Sequence, residues 1–379
     1  MRRHTNPSLA EEVAKAGAIE QLSLCIEDPE TSLKKIATMA LSEIAKHNAE
    51  LADRIANNAG TLRVLSGCLA DRDWELRQYA CTCLANVAKH NEDLAQKVAG
   101  ADVFTRLINC VKDEKEKVQV QAVICIREIA HHSIDLAKVV CDVGGVIPYV
   151  VDYLSNAPGF KKLPAITTLG YVSGFEHDLA RSVVQCKGHI ALVGALRDKV
   201  DDSVKAAAAW SLGQIGRHSS ELAKELAEQK VLSELLILYM AAEEKSDIKK
   251  KTRKALKSII QQCQEIEALR PLLEVASEKM LKHIVAQIAI ILKSNPAAKR
   301  PFAEKGSLKK LLEIHPPPES KLQSAINEIN DLFPPEVTQH YSPEYMNTLL
   351  KKIDEPSKEP AKEQVKEPPK EVSKEPSKP

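Results

Sequence analysis

Four histidines hold the same place in an internal pattern of this 379-residue chain: His47, His90, His132 and His218. Imidazoles bind metals and carry protons near neutral pH, so a recurring histidine is the first place to look for chemistry. Each of these four closes a helical run ending in AKH, AHH or GRH. At a helix C-terminus a histidine is most simply a partner for the dipole or for a terminal carbonyl. Units stacked about 10 Å apart would also keep the rings from sharing one ion, whose ligands sit about 2 Å from it. The nine cysteines contain no CxxC pair. Cys81 and Cys83 are two apart on a helix, so they point to different faces and cannot chelate together. Buried thiols in a reducing compartment fit this spread better than a disulfide framework. The acid pairs Glu11–Glu12 and Glu243–Glu244 are sequence neighbours on exposed turns. They read as solvated charges, not as an acid/base dyad. The signatures GxxxxGK[ST], GxSxG and HExxH do not occur. No catalytic residue, cofactor or metal ligand is expected.

The elements that would position such residues are helical. Glycine is scarce, 14 residues, and aromatics make up 4%. Ala, Leu, Lys and Glu are plentiful, which favours helices over strands. Apolar residues at 44% and charged residues at 28% fit a folded soluble chain. The formal charge of +1 argues against a uniformly basic nucleic-acid coat. No window reaches the roughly 18 apolar residues of a membrane span, and MRRHTNPSLAEEVAK has no apolar signal core.

A Leu-Ala step recurs at Leu9, Leu51, Leu94, Leu136, Leu179 and Leu222, at spacings of 42 or 43. That period is typical of armadillo and HEAT helical repeats. One turn later stand Val13, Ile55, Val98, Val140, Val183 and Leu226, an inward stripe on one helix. Three residues before the leucine stand Asn6, Asn48, Asn91, Ser133 and Ser219, all helix-capping types, with Glu176 the exception. A second helix, ending at the histidine, precedes each cap. On it Ile36, Ala40, Leu41 and Ile44 share a face, as do Ala207, Ser211, Leu212 and Ile215. The pattern predicts units of a short helix, a middle His-ended helix and a longer third Leu-Ala helix, interrupted or kinked by turns near Gly60 and Gly145. About seven such units fit between residues 5 and 314, the first beginning at its third helix. An all-α, armadillo-type superhelix is therefore expected, its units sharing one continuous core.

Residues 315–354 change character: the HPPPES breaker, a helix at SKLQSAINEINDLF, then FPPEVTQHYSPEYMNTLLKKIDEP as an extended stretch packing on the last repeats. From residue 355 to 379, Lys and Glu each recur every four residues among six prolines. Such a composition cannot offset the entropy of ordering, so this tail is expected to be disordered. Charge is uneven: residues 245–310 carry sixteen Lys/Arg against six Asp/Glu. Lys249, Lys250, Lys251, Arg253, Lys254 and Lys257 are either a solvated helix face or a docking patch for an acidic partner.

Capture of basic nuclear-localisation peptides on such a stack needs repeated Trp and Asn along one face. Here the corresponding positions read Met39, Thr82, Ile124, Thr167, Trp210 and Glu43, Asn86, Glu128, Tyr171, Gln214. No such series exists, which argues against an import adaptor. A soluble adaptor that holds extended peptides in a groove, catenin-like or import-like, is the alternative to a scaffold.

SEIAKHNAELA, IREIAHHSIDLAKVVCDVGGV, LPAITTLGYVSG, AAAAWSLGQIGRHSSELA, LKHIVAQIAIILKSNPAAKRPF and the box FPPEVTQHYSPEYMNTLLKKI resemble the sperm-associated antigen six type of armadillo protein. The resemblance runs over residues 3–353. WSLGQIGRH and YSPEY are its most specific parts, since no packing rule calls for them. It implies a non-catalytic scaffold of the axonemal central apparatus, on one of the two central microtubules of motile cilia and flagella. Its implied partners are tubulin, central-pair projection proteins and other copies of itself, with no nucleic acid, membrane or small molecule. Against that family the chain is expected to lack the first repeats and to add the charged tail. The partner-binding residues expected are the six basic ones above, with Tyr341 and Tyr345 of the YSPEY box. Replacing Lys249, Lys250, Lys251 and Lys254 by Glu is expected to weaken microtubule binding.

Overall fold

The computed structural model describes residues 7–142, 145–198 and 201–341. The cap at Asn6, Tyr345 and the Lys/Glu/Pro tail lie outside the described residues. Among the described residues every regular element is a helix. The helices come in triplets: α1 (Pro7–Lys15), α2 (Ala18–Cys25) and α3 (Thr31–Ala45); α4 (Ala49–Asn57), α5 (Thr61–Cys68) and α6 (Trp74–Ala88); α7 (Glu92–Ala99), α8 (Phe104–Val111) and α9 (Glu116–Ala130). The series continues with α10 (Ile134–Asp142), α11 (Val146–Asn156) and α12 (Leu163–Phe175); α13 (His177–Gln185), α14 (Gly188–Arg197) and α15 (Asp202–Gly216); α16 (Ser220–Glu228), α17 (Val231–Ala241) and α18 (Asp247–Gln262). The next layer has two helices, α19 (Ile266–Val275) and α20 (Glu278–Ser294). A last triplet, α21 (Lys299–Glu304), α22 (Ser307–Leu312) and α23 (Lys321–Asn330), is followed by α24 (Pro335–Tyr341).

The expected Leu-Ala helices start where the caps place them. Asn48 and Asn91 accept from the amides of Leu51 and Leu94 at 2.8 and 2.9 Å. Ser133 and Ser219 do the same for Leu136 and Leu222 at 3.4 and 3.3 Å. Ile55, Val98, Val140, Val183 and Leu226 are all fully buried. The phase of the unit differs from the sequence reading. The Leu-Ala helix is the short first member, not a long third one. It ends after eight or nine residues, and a separate second helix follows. The break is a single left-handed residue at Gly17, Gly60, Asp102, Gly145, Lys187 and Lys230, again every 42 or 43 positions. A positive φ halts the helix and redirects the chain, so of the two outcomes expected at Gly60 and Gly145, interruption or kink, the structure has the interruption, a true turn. The His-ended helix is the longest and comes third, so the first described triplet, α1–α3, contains all three helices.

The third helices stack on one another in sequence: α3 on α6, then α9, α12, α15, α18, α20 and α23. Residue 314, read as the end of the array, lies between α22 and α23, and α23 packs on α20. The segment after Phe333, read as extended, runs helical as α24 from Pro335, where a proline costs a helix nothing. Ile36 is 60% exposed, so the buried stripe of α3 runs instead through Ala37, Leu41, Ile44 and Ala45.

Packing requires a glycine in WSLGQIGRH, a motif that no packing rule seemed to call for, and another in LPAITTLGYVSG. A Cβ on Gly213 would lie 2.8 Å from Cα of Ala255, where α15 meets α18. One on Gly170 would lie 2.3 Å from the Trp210 ring, where α12 meets α15. These contacts bring neighbouring layers close enough to bury Leu212, Ile215, Leu256 and Ile259 completely.

Candidate partner-binding surface

α18 starts at Ser246, whose hydroxyl accepts from the amide of Lys249 at 3.3 Å. Its inner face, Ile248, Thr252, Ala255, Leu256, Ile259 and Ile260, is buried. The opposite face is set by the 3.6-residue period, and that period divides the six basic candidates. Lys249 turns back toward the preceding turn. It donates to the Ala242 carbonyl at 3.0 Å, pairs with Glu244 at 3.1 Å and lies 4.9 Å from the Tyr239 ring centre. Lys251 pairs with Asp247 one turn back at 2.9 Å. Lys250, Arg253, Lys254 and Lys257 form the outward stripe, and none has a carboxylate partner among the described residues.

The stripe borders a hollow of about 370 Å³ between α15 and α18, lined on one side by Trp210, Gln214 and Arg217 and on the other by Lys254, Lys257 and Ser258. Arg217 donates to the Gly174 carbonyl of α12. Trp210 ends an aromatic row across successive third helices. Its ring is 5.1 Å from Tyr171, which is 5.4 Å from His131.

Sequence reading missed the cations on the next two layers. His283 of α20 is held below the ordinary imidazole range, first by burial and then by the charges of Lys257, Lys282, Arg253 and Lys321. These four cations come from α18, α20 and α23. The only signal in the sequence would have been the layer period, which shortens after α18 and hides the register. Tyr341 is placed elsewhere. It ends α24 on the α21–α22 side, bordering a hollow of about 720 Å³ with Arg300, Leu332 and Phe333. The structure therefore does not join Tyr341 to the lysine stripe, and Tyr345 lies outside the described residues.

The repeated histidines act between layers. Nε2 of His90 lies 2.6 Å from the Ala45 carbonyl, that of His132 2.7 Å from Ala88, and that of His218 2.7 Å from Ser173. Each ring binds a carbonyl near the C-terminal end of the preceding third helix, an acceptor the helix itself leaves open. The partner is a terminal carbonyl, as expected, but it belongs to the layer before. Among the described residues no group of three or more His, Cys, Asp or Glu could hold a metal ion. No described helix is long and apolar enough to cross a membrane.

No family model matches the chain. Over 159 residues it is 45% identical to human sperm-associated antigen 6 and 44% identical to the mouse protein. That stretch covers 42% of this chain and 31% of each relative, so the match spans less than a third of the relatives' length. Among solved structures, a designed armadillo repeat protein superposes with a TM-score of 0.60 at 22% identity, over 64% of this chain and 99% of its own. A second, solved in complex with the peptide (KR)4, gives 0.60 at 23% over 64% and 99%. An engineered protein gives 0.64 at 20% over 90% and 85%. The fold is an armadillo-type array, and its resemblance to sperm-associated antigen 6 is shown over the matched stretch.

Proposed function

We propose that the chain is a non-catalytic scaffold of the ciliary or flagellar central apparatus, binding microtubules and projection proteins and supporting axoneme integrity and motility. The observation that carries this reading is the 45% identity to sperm-associated antigen 6. The outward stripe of exposed Lys250, Arg253 and Lys254 with half-buried Lys257 supports it, since a row of uncompensated cations attracts an acidic surface. Co-sedimentation with microtubules tests it. Binding is expected at low salt and should weaken as ionic strength shortens the screening length to about 8–10 Å. Reversing those four residues to Glu should abolish most of it. Lys249 and Lys251 are left out of the test because they are already paired. Unchanged pelleting of the reversed variant would remove the stripe from the account.

A second reading, a soluble adaptor holding an extended peptide along the third helices, is favoured by one observation. The hollow beside Trp210 and Gln214 offers an apolar plate and an amide side by side. The designed armadillo protein solved with (KR)4 carries a basic peptide. Here the adjoining face is itself basic, so a peptide of that charge would be repelled.

A further inference from the structure

We propose that the hollow between α21 and α24 is the seat of this chain's own residues 343–353, which lie outside the described residues and dock there as a helix. The inference goes beyond the scaffold reading and does not depend on it.

The hollow is held open by packed walls. It has a volume of about 720 Å³, and its apolar lining is Ala303 of α21 with Leu332, Phe333, Val337 and Tyr341. Phe333 stacks on the buried Phe302 of α21, ring centres 6.4 Å apart. Lys299 of α21 donates to the Leu332 carbonyl at 3.1 Å, which ties the turn before α24 to the opposite wall. Val337 and Tyr341 are four apart, so they share one face of α24. Leu332, Phe333, Val337 and Tyr341 are all only half-buried, whereas Leu322, Ala325, Ile326 and Ile329 of the preceding helix are buried. On the rim Arg300 pairs with Glu304 at 2.7 Å, but Glu336 has no cation partner among the described residues.

The sequence supplies the occupant at the right place. Tyr341 lines the hollow, so the chain leaves α24 beside it. The next residues spell a helix start. Ser342 is a capping type, Pro343 stands where a proline costs a helix nothing, and Glu344 puts negative charge in the first turn. Tyr345, Met346, Leu349, Leu350 and Ile353 then follow at i, i+1, i+4, i+5 and i+8, one face of a helix. Leu349-Leu350 with Ile353 repeats the spacing of Leu51-Ala52 with Ile55, all three of which are buried on α4. Lys352 borders that face and matches Glu336 in charge. Residues 343–353 span about 16 Å as a helix at ~1.5 Å each, enough to cover α24, which is about 10 Å long. Residues 355–379 carry no such apolar run. The YSPEY box thereby gains a packing role: its serine and proline start the helix, and its two tyrosines lie on the two surfaces that meet.

The experiment uses the full chain and its Leu349→Glu/Leu350→Glu variant, compared by hydrogen exchange. In the variant the amides of α21 and α24 should exchange at least ten-fold faster, while those of α4 to α9 stay as they were. A fluorescent peptide of residues 342–354, read by anisotropy, should bind the variant saturably. It should bind the unaltered chain at least ten-fold more weakly, because the seat is taken. Adding Val337→Glu to the variant should remove peptide binding, with circular dichroism establishing that each protein is folded. Equal exchange in the two chains, no peptide binding to the variant, equal binding to both, or binding untouched by Val337→Glu would overturn the proposal. Protection of α21 and α24 that fades on dilution would put a second copy's segment in the hollow and overturn the intramolecular seat.

Discussion

Replacing Gly213 by Ala sets two known effects against each other, and the structure decides the sign. In a helix interior, Ala is favoured over Gly by about 1 kcal/mol. At Gly213 the new Cβ would lie 2.8 Å from Cα and 2.9 Å from Cβ of Ala255. Ordinary carbon contacts are about 3.5–4.0 Å, so α15 and α18 must separate by up to about 1 Å. Because the obstacle is backbone, no rotamer change relieves it. Overpacking of this kind costs about 1–3 kcal/mol, and prying apart a layer around Leu212 and Leu256 adds to it. The expected net is a loss of about 1–2 kcal/mol. Gly194 in α14 is the control, since a Cβ there meets nothing within 4 Å. Ala at 194 should stabilise by about 0.5–1 kcal/mol. Urea unfolding gives the order of the two variants. Hydrogen exchange then shows whether the loss sits in α15 and α18, since a repeat array need not unfold in one step. If Ala at 213 stabilises as much as Ala at 194, the claim of forced close approach is wrong.

Burial is the chief cause that lowers the pKa of His90, His132 and His218 below the ordinary value of 6.5. The fold therefore prefers them neutral, and the unfolded chain binds more protons in that window. Their contribution is complete above about pH 6.5 and is lost as pH falls through the lowered folded values, so urea midpoints should drop between pH 7 and pH 5, less so in a His90→Gln/His132→Gln/His218→Gln variant. Burial pushes the Cys83 thiol up to about 12, and Cys125 is raised as well; both should resist iodoacetamide at pH 7.5 until urea unfolds the layer. Asn91→Ala removes the 2.9 Å acceptor at the start of α7 and should cost about 1 kcal/mol by urea titration.

The parts of the fold that sequence made legible were those where one residue type does one job at every repeat. Asn48, Asn91, Ser133 and Ser219 must accept from a first-turn amide, so their kind recurs and the helix starts could be placed. The turn after each Leu-Ala helix needs only a left-handed backbone. Gly60, Asp102, Lys187 and Lys230 all supply one, so no common letter marked it and the unit was phased one helix off. The glycines of WSLGQIG and TTLGYVSG carry no periodic signal either; their reason is a neighbour in another layer. At the surface, the basic run of α18 was visible because it is contiguous. Its outward subset was not, because Lys249 and Lys251 are withdrawn by Glu244 and Asp247. Lys282, His283 and Lys321 stayed hidden, since only the stacking of α18, α20 and α23 brings them together.

Imaging a tagged copy of the full chain in a beating flagellated cell tests the central claim most directly. The scaffold account predicts signal along the midline of the axoneme, retained after detergent removes the membrane and soluble proteins. A diffuse or nuclear signal that washes out with detergent would contradict it.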